Sequence, residues 1–243
     1  MKKIISILFA TSTCIAHTNA QTQNSFSLDQ GFTQTNMTRK MTANMRNNGF
    51  GATVTTDWSL FLLPFTSKSS YPKTENKKVN YRARYNRHIG RKTSIEAGYG
   101  KIYQTIIKGA HEVNGGYHFL SVDCSVTNLY AAFMVKTSSG NFGIGLGPAL
   151  SICKVKQRSI SQSSVLSDKT ELIPGANLSA YWNFVDQPKW FLGMRTDVII
   201  TKNLTIEEVR LSHEYSSNPV FVSKQSTVGA NMFTVSFSGG FKF

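Results

Sequence analysis

Ser212, His213, Glu214, Ser216 and Ser217 place hydroxyl, imidazole and carboxylate groups within one short stretch. A serine beside a histidine can be activated as a nucleophile, with an acidic neighbour to orient the ring. Here, though, the residues lie in a long polar segment, 201 to 229, where histidine is a common solvated residue. His88, His111 and His118 bring no serine and carboxylate with them at a triad-like spacing. Cys-x-x-Cys is absent, as is any His pair at helical spacing, so no metal site is expected. Gly143-Ile144-Gly145-Leu146-Gly147 lacks the following helix and lysine that a phosphate cradle needs and reads as strand glycines. The expectation is no catalytic residue, no metal and no cofactor.

A second constellation is charged. Asp57, Arg82, Arg84, Glu96, Arg195 and Asp197 sit in otherwise alternating apolar and polar segments, three acidic against three basic. Buried charges are tolerated when paired and hydrogen-bonded, so a neutral set of six predicts a self-satisfied interior. The competing reading is a narrow proton or ion path. Cys124 and Cys153 form a third set: a two-residue turn at Ser138-Ser139 would set them across from each other and so allow a disulfide, which a one-residue shift of register would destroy. A turn formed by Ile89, Gly90 and Arg91 would likewise set His88 opposite Lys92 and Arg84 opposite Glu96.

These side chains need strands to hold them. From Asn231 to Phe243 aromatic and aliphatic residues alternate with small or polar ones, the period of a strand with one oily face. Reading back from this terminus gives eight segments: 50 to 63, 78 to 88, 92 to 104, 119 to 136, 141 to 155, 170 to 184, 189 to 200 and 230 to 243. Tight turns fall near Gly90, at Ser138-Ser139-Gly140 and at Asp186-Gln187-Pro188, with long polar loops over 64 to 77, 105 to 118, 156 to 169 and 201 to 229. Short turns at one end and long loops at the other is the plan of a bacterial membrane barrel. Within the last loop, Leu204 to Leu211 and Val220 to Ser223 can pair as a hairpin. Eight strands are expected over ten, because Glu207, Glu208 and Arg210 are too dense for a lipid-facing ribbon.

Charge tests this assignment harder than hydropathy. A Lys or Arg on the lipid face near mid-membrane costs about 2 to 4 kcal/mol. The proposed outer faces carry none except Lys101, which must snorkel to a headgroup or mark a register slip. In the fourth segment, Leu120, Val122 and Val126 lie on the opposite face from Leu129, Ala131, Phe133 and Val135, so a bulge or an exit from the membrane is expected near Thr127. Trp182, Phe184, Trp190 and Phe243 gather where an interfacial belt would fall. Gly143, Gly145 and Gly147 on an inner face leave room for large Arg side chains or relieve bending. A soluble ligand-carrying barrel would have the reverse pattern, apolar within and polar without.

The ends complete the domain plan. Lys2 and Lys3, the apolar run Ile4 to Ala10 and the small-residue site Thr18-Asn19-Ala20 read as a secretory signal over 1 to 20. Thr11-Ser12-Thr13 before Cys14 does not fit a lipoprotein site. Removal of Lys2 and Lys3 takes the formal charge from +14 to +12. Export excludes nucleic acid as the partner of that basic balance and leaves anionic lipopolysaccharide, or simple solubility, to explain it. Residues 21 to 48 read as a polar periplasmic segment. Within it Met37, Met41 and Met45 line one face of a short helix ending at Gly49, which either tucks against the periplasmic end or tethers flexibly. The barrel domain is expected over 49 to 243.

Signal, eight amphipathic strands, three tight turns, four long loops and terminal Phe241-Lys242-Phe243 together resemble the small outer-membrane barrel families typified by OmpX and the membrane domain of OmpA. The resemblance covers about residues 49 to 243 and carries fold and location; no family functional residue maps onto this sequence. It implies an all-β, closed, antiparallel up-and-down transmembrane barrel, a monomer in the outer membrane. Its surroundings would be membrane lipids and lipopolysaccharide, with the barrel-assembly machinery engaging the C-terminal strand. The expected role is structural or surface-directed, with Lys68, Lys73, Lys77, Lys78, Lys108, Lys154, Lys156, Arg158 and Lys169 as a basic crown or as scattered solvated charges. A narrow channel is the first alternative. Some barrels of this size modify lipid A with a Ser, a His and an acidic helper, so a lipid A-modifying enzyme built on Ser212 and His213 is the second.

Overall fold

A computed structural model describes residues 24–57, 66–77, 80–113, 116–160, 163–212 and 219–243. The expected signal segment, Trp58, Leu60 and Leu62 of the expected first strand, and His213, Glu214, Ser216 and Ser217 lie outside the described residues.

Eight strands hydrogen-bond in a closed antiparallel ring: β1 (Asn24–Thr35), β5 (Asn80–His88), β6 (Thr93–Val113), β7 (Gly116–Lys136), β8 (Phe142–Ser159), β9 (Ser164–Asp186), β10 (Trp190–Thr201) and β15 (Met232–Lys242), which returns to β1. Closure removes the unpaired edges that an open sheet exposes. The seam is continuous from Ser25 opposite Lys242 to Thr35 opposite Met232. Seven of the expected strands are present. The eighth is Asn24–Thr35, not 50 to 63, and the barrel therefore begins inside the segment expected to be periplasmic. Gln30, exposed between Leu28 and Phe32, interrupts the oily alternation that would have marked it.

Residues 53 to 57 instead form β2 (Thr53–Asp57), paired with β3 (Thr66–Ser70) in a separate hairpin at the loop end. There β4 (Lys73–Lys77) extends the ring above β5 by pairing with β6. β11 (Asn203–Ile206) pairs with β14 (Ser226–Gly229), and β12 (Val209–Ser212) with β13 (Pro219–Ser223). The 201 to 229 segment is thus a hairpin of its own, and the ring has eight strands.

Met37–Asn47 forms the helix α1 directly after β1, with Met37, Met41 and Met45 on its buried face. Its end is a glycine-terminated turn: Gly49 has φ 85°, its amide donates to Arg46 O, and Phe50 N donates to Met45 O at 2.9 Å. The helix does not lie at the tight-turn end. It crosses the loop end of the bore, where Met37 Sδ is 3.5 Å from Cys124 Sγ and Asn44 Nδ2 donates to Ser226 Oγ at 2.5 Å.

Strands β6 to β9 run far beyond the expected bounds. β6 and β7 pair to Val113 and Gly116, and β8 and β9 to Ser159 and Ser164. The alternation in β7 never breaks: Leu120, Val122, Cys124, Val126, Asn128, Tyr130, Ala132 and Met134 all point inward. What inverts near Thr127 is which face is apolar. Toward the tight turns, oil lies outside; toward the loops, Leu120, Val122, Cys124 and Val126 put it inside. The inner face is thus polar only in its turn-side half. The predicted slip near Lys101 is a bulge one residue later, with Ile102 skipped between Lys101 and Tyr103. Lys101 stays on the outer face and donates to Gln104 Oε1 at 2.7 Å.

Candidate functional site

The bore holds two stacked layers. The loop-side layer is hydrocarbon and sulfur: the three α1 methionines, Phe50, Ile107, Leu120, Val126, Cys153, Ile173, Ile199 and Met232 share one cluster with Leu204, Ile206 and Val228 of the hairpin above. Gly109 allows this approach, since a Cβ there would stand 2.6 Å from Met45 Cε and 2.7 Å from Phe50 Cβ. A strand cannot itself close a cylinder's end; an amphipathic helix followed by a folded-back hairpin does.

The turn-side layer is ionic. Arg84 is its centre, with Nη2 2.7 Å from Asp197 Oδ2, Nη1 3.1 Å from Glu96 Oε1, and Nε donating to Asp29. Arg82 Nη1 reaches Asp197 Oδ2 at 2.6 Å, and Arg195 Nη1 reaches Glu96 Oε2 at 2.6 Å. Three guanidinium groups meet three carboxylates. Tyr130 donates to Glu96 at 2.7 Å and accepts from Arg84, while Thr234 donates to Asp197 at 3.1 Å. The Arg82 and Arg84 guanidinium carbons each lie 5.4 Å from the Tyr130 ring centroid, and that of Arg195 lies 5.1 Å from the Tyr181 ring.

Five of the six expected charges, Arg82, Arg84, Glu96, Arg195 and Asp197, come together here. Asp57 does not: it belongs to β2 at the opposite end, and Asp29 of β1 takes the sixth place. The alternation Phe26, Leu28, Phe32 puts Ser27 and Asp29 inward, a signal available once β1 is recognised as a strand. Tyr130 was legible in the same way from its outward neighbours Leu129 and Ala131.

Hairpin geometry corrects two registers. Ile89 N and Gly90 N both donate to Thr93 O, so the first turn is longer than three residues, and Glu96 faces Asn86 while Arg84 faces Gly98. The Arg84 and Glu96 contact survives because diagonal neighbours on one face remain within reach of long side chains. At the next turn Thr137 N donates to Phe142 O across Ser138 to Asn141, with Gly140 at φ 75°. That shifts Cys124 to face Val155 and Cys153 to face Val126. Both thiols are free and buried, so the disulfide that the tighter turn would have allowed is not formed. The glycines of β8 make room for aromatic and thioether groups rather than arginine: a Cβ on Gly143 would meet Tyr181 Cε1 at 2.4 Å, and one on Gly145 would meet Met134 Sδ at 2.1 Å.

Outside the ring the surface is oily. Phe237, Leu192 and Phe233 are 67%, 43% and 39% exposed, as are Leu28, Tyr99, Ile144, Leu146, Leu178 and Trp182 in part. Between Arg87 near the turns and Lys101, the outward positions of the described barrel strands carry no Lys, Arg, Asp or Glu. At the loop end, among the described residues, four of the crown lysines have a carboxylate neighbour. Lys154 and Lys156 lie 3.5 and 3.4 Å from Asp168, Lys108 2.6 Å from Glu75, and Lys169 3.1 Å from Glu207. Lys169 and Ser167 hydrogen-bond Glu207 and hold its carboxyl below the usual range.

Among the described residues no cluster of His, Cys, Asp or Glu is arranged to hold a metal ion, and no helix is long and apolar enough to cross a membrane.

No family model matches the sequence, and no curated protein matches it. Solved structures do overlap with it. The attachment invasion locus protein Ail of Yersinia pestis, solved with the heparin analogue sucrose octasulfate, is 9% identical over 92% of this chain and 100% of that one, with a TM-score of 0.45. The outer membrane protein OprG of Pseudomonas aeruginosa is 10% identical over 90% and 96%, with a TM-score of 0.45. Neisserial surface protein A is 11% identical over 92% and 98%, with a TM-score of 0.38. The barrel assignment itself rests on the strand pairing described above.

Proposed function

We propose that this chain is an outer-membrane barrel with a sealed bore and a structural or surface-presenting role, reached after export through its N-terminal signal. The inversion of apolarity along β7 and β8 carries this reading. A soluble barrel has no reason to turn Phe237, Leu146 and Leu178 to water while burying three guanidinium groups among three carboxylates, whereas hydrocarbon accepts the former and requires charges to be paired inside. Only helices and closed barrels satisfy every backbone group inside a bilayer, and the ring is closed.

In this orientation the tight turns, the start of β1 and the end of β15 lie in the periplasm, and the tall β6 to β9 wall with its hairpins stands outside. A wall whose inner face is packed solid with α1 displays its outer face rigidly. That suits contact with lipopolysaccharide, a host surface or another macromolecule. The C-terminal strand ending in Phe241-Lys242-Phe243 is the segment expected to engage the assembly machinery. Conduction is disfavoured by the two layers in series, one ionic and one apolar. The serine and histidine reading rests on His213 and Glu214, which lie outside the described residues.

Outer-membrane fractions run unboiled and boiled test the location: a folded barrel migrates differently before heating, and a single position in both would oppose the reading. Planar-bilayer recording tests the sealed bore. Absence of discrete current steps is expected, and steps that vanish on Arg82→Gln or Arg84→Gln would establish a channel instead. Lipid A from cells with and without the gene should have the same acyl pattern.

A further inference from the structure

The turn-side mouth of the bore is built differently from the charge layer above it. A cavity of about 240 Å³ opens there, lined by polar side chains of β5, β7, β9, β10 and β15. Lys136, Arg91, Lys242 and Arg195 converge on it, against a single carboxylate, Asp186. Lys242 Nζ lies 2.6 Å from that carboxylate, and Arg195 is turned through Nη1 to Glu96 beneath. Lys136 contacts the His88 ring nitrogen, and neither it nor Arg91 has a carboxylate within ion-pair distance among the described residues. Even with Glu96 counted against Arg195, cations exceed anions here, in contrast to the neutral layer above.

A second observation points the same way. Arg195 is buried with its side chain only 5% exposed, yet its Nε–H has no hydrogen-bond partner. Buried guanidinium donors left unmade are costly, and like charges gathered without a counter-charge repel. Both penalties vanish if a group bearing negative oxygens sits between Lys136 and Arg195. Charge-assisted bonds from ammonium and guanidinium to such oxygens are among the stronger hydrogen bonds in proteins. The serine hydroxyls of Ser138 and Ser139 at the rim add neutral donors.

We propose that the turn-side mouth is an oxyanion-binding site, taking a phosphate or carboxylate group between Lys136, Arg195 and Arg91. The site is independent of what the loop end contacts. It would give the barrel a ligand on the side opposite its displayed surface, either a free anion or an anionic group carried on a larger molecule of that compartment.

Nuclear magnetic resonance of the refolded chain in octyl glucoside micelles tests it, following the Arg195 Nε–H resonance and the amides of Lys136 and Gly140. Inorganic phosphate and acetate are titrated separately at constant ionic strength. Saturable shifts confined to the mouth, with either anion, support the site, and the anion that saturates first identifies the chemistry. Lys136→Gln should weaken that binding about tenfold or more. Arg91→Gln, at an exposed position that does not bear on folding, should weaken it measurably as well. Shifts that grow linearly with both anions, or that leave Arg195 unmoved, overturn the proposal, as does unaltered affinity in both variants.

Discussion

Arg84 and Asp197 lie 113 residues apart in sequence and meet in the bore at 2.7 Å, with Asp29 and Glu96 bonded to the same guanidinium. One side chain thus ties β5 to β1, β6 and β10 across the cylinder. Removing it leaves three carboxylates against two guanidinium groups in a place water does not reach, with Asp29 unpaired. Arg84→Ala is expected to destabilise the barrel by about 3 to 5 kcal/mol, the cost of breaking buried ion pairs. Urea unfolding in lipid vesicles, followed by tryptophan fluorescence, measures it. A loss within about 0.5 kcal/mol, the ordinary range for a surface change, would mean the network is solvated.

Phe237 is turned fully outward at mid-height of the C-terminal strand, while Ser236 beside it faces in. Phe237→Arg should cost about 2 to 4 kcal/mol in the same vesicle assay, because the charge would stand in hydrocarbon. The same charge at Lys154, already outward above the apolar band, should be neutral as Lys154→Arg. Equal effects at both positions would show that no apolar solvent surrounds the ring.

Cys124 and Cys153 should react with a thiol probe only after unfolding, each as a free thiol, and without prior reduction. The register that sets Cys124 against Val155 carries this expectation. A mass two hydrogens short, with no labelling until a reductant is added, would indicate that the Ser138 to Asn141 turn is tighter in solution.

Glu207 ties the β11 and β14 hairpin to the rim through Lys169 at 3.1 Å and Ser167 at 3.0 Å. Its carboxyl titrates below the ordinary range because these hydrogen bonds and the ammonium charge favour the ionised form. A depressed folded-state value means the tether contributes above the unfolded pKa and is lost as pH falls through the folded one. Amide exchange in 203 to 206 should therefore quicken on acidification below the normal carboxylate range. Glu207→Gln should show the faster exchange at every pH, and an unchanged acid response in that variant would assign the effect elsewhere.

The ring was largely readable in the sequence, and the reasons are local. Strands β5 to β10 and β15 alternate cleanly because one face meets an apolar surround and the other a polar bore, so Arg82, Arg84, Glu96, Arg195 and Asp197 could be placed inside by parity alone. The first strand was not, because Gln30 breaks its oily row, while the segment at Phe50 to Asp57 mimics one. Asp29 was lost with it and Asp57 took its place. The loop-end wall was read as loops for a different reason: Lys154, Lys156 and Arg158 alternate with Val155 and Gln157 in the inverse phase. That pattern signals a strand once the possibility of an apolar interior above the band is allowed. The methionine stripe of α1 was plain at helical spacing. Which end it covered depended on where β1 lies, and that is a tertiary fact.

The closing seam joins Asn24–Thr35 to Met232–Lys242, and the helix that stoppers the bore begins two residues after that first strand. The stopper is therefore tethered to one lip of the seam where the two ends of the chain meet. Whatever parts β1 from β15 also pulls on the methionine face, because only Asn36 lies between strand and helix. A chain shortened ahead of Asn24 should close normally, whereas one lacking β1 would lose wall and stopper together.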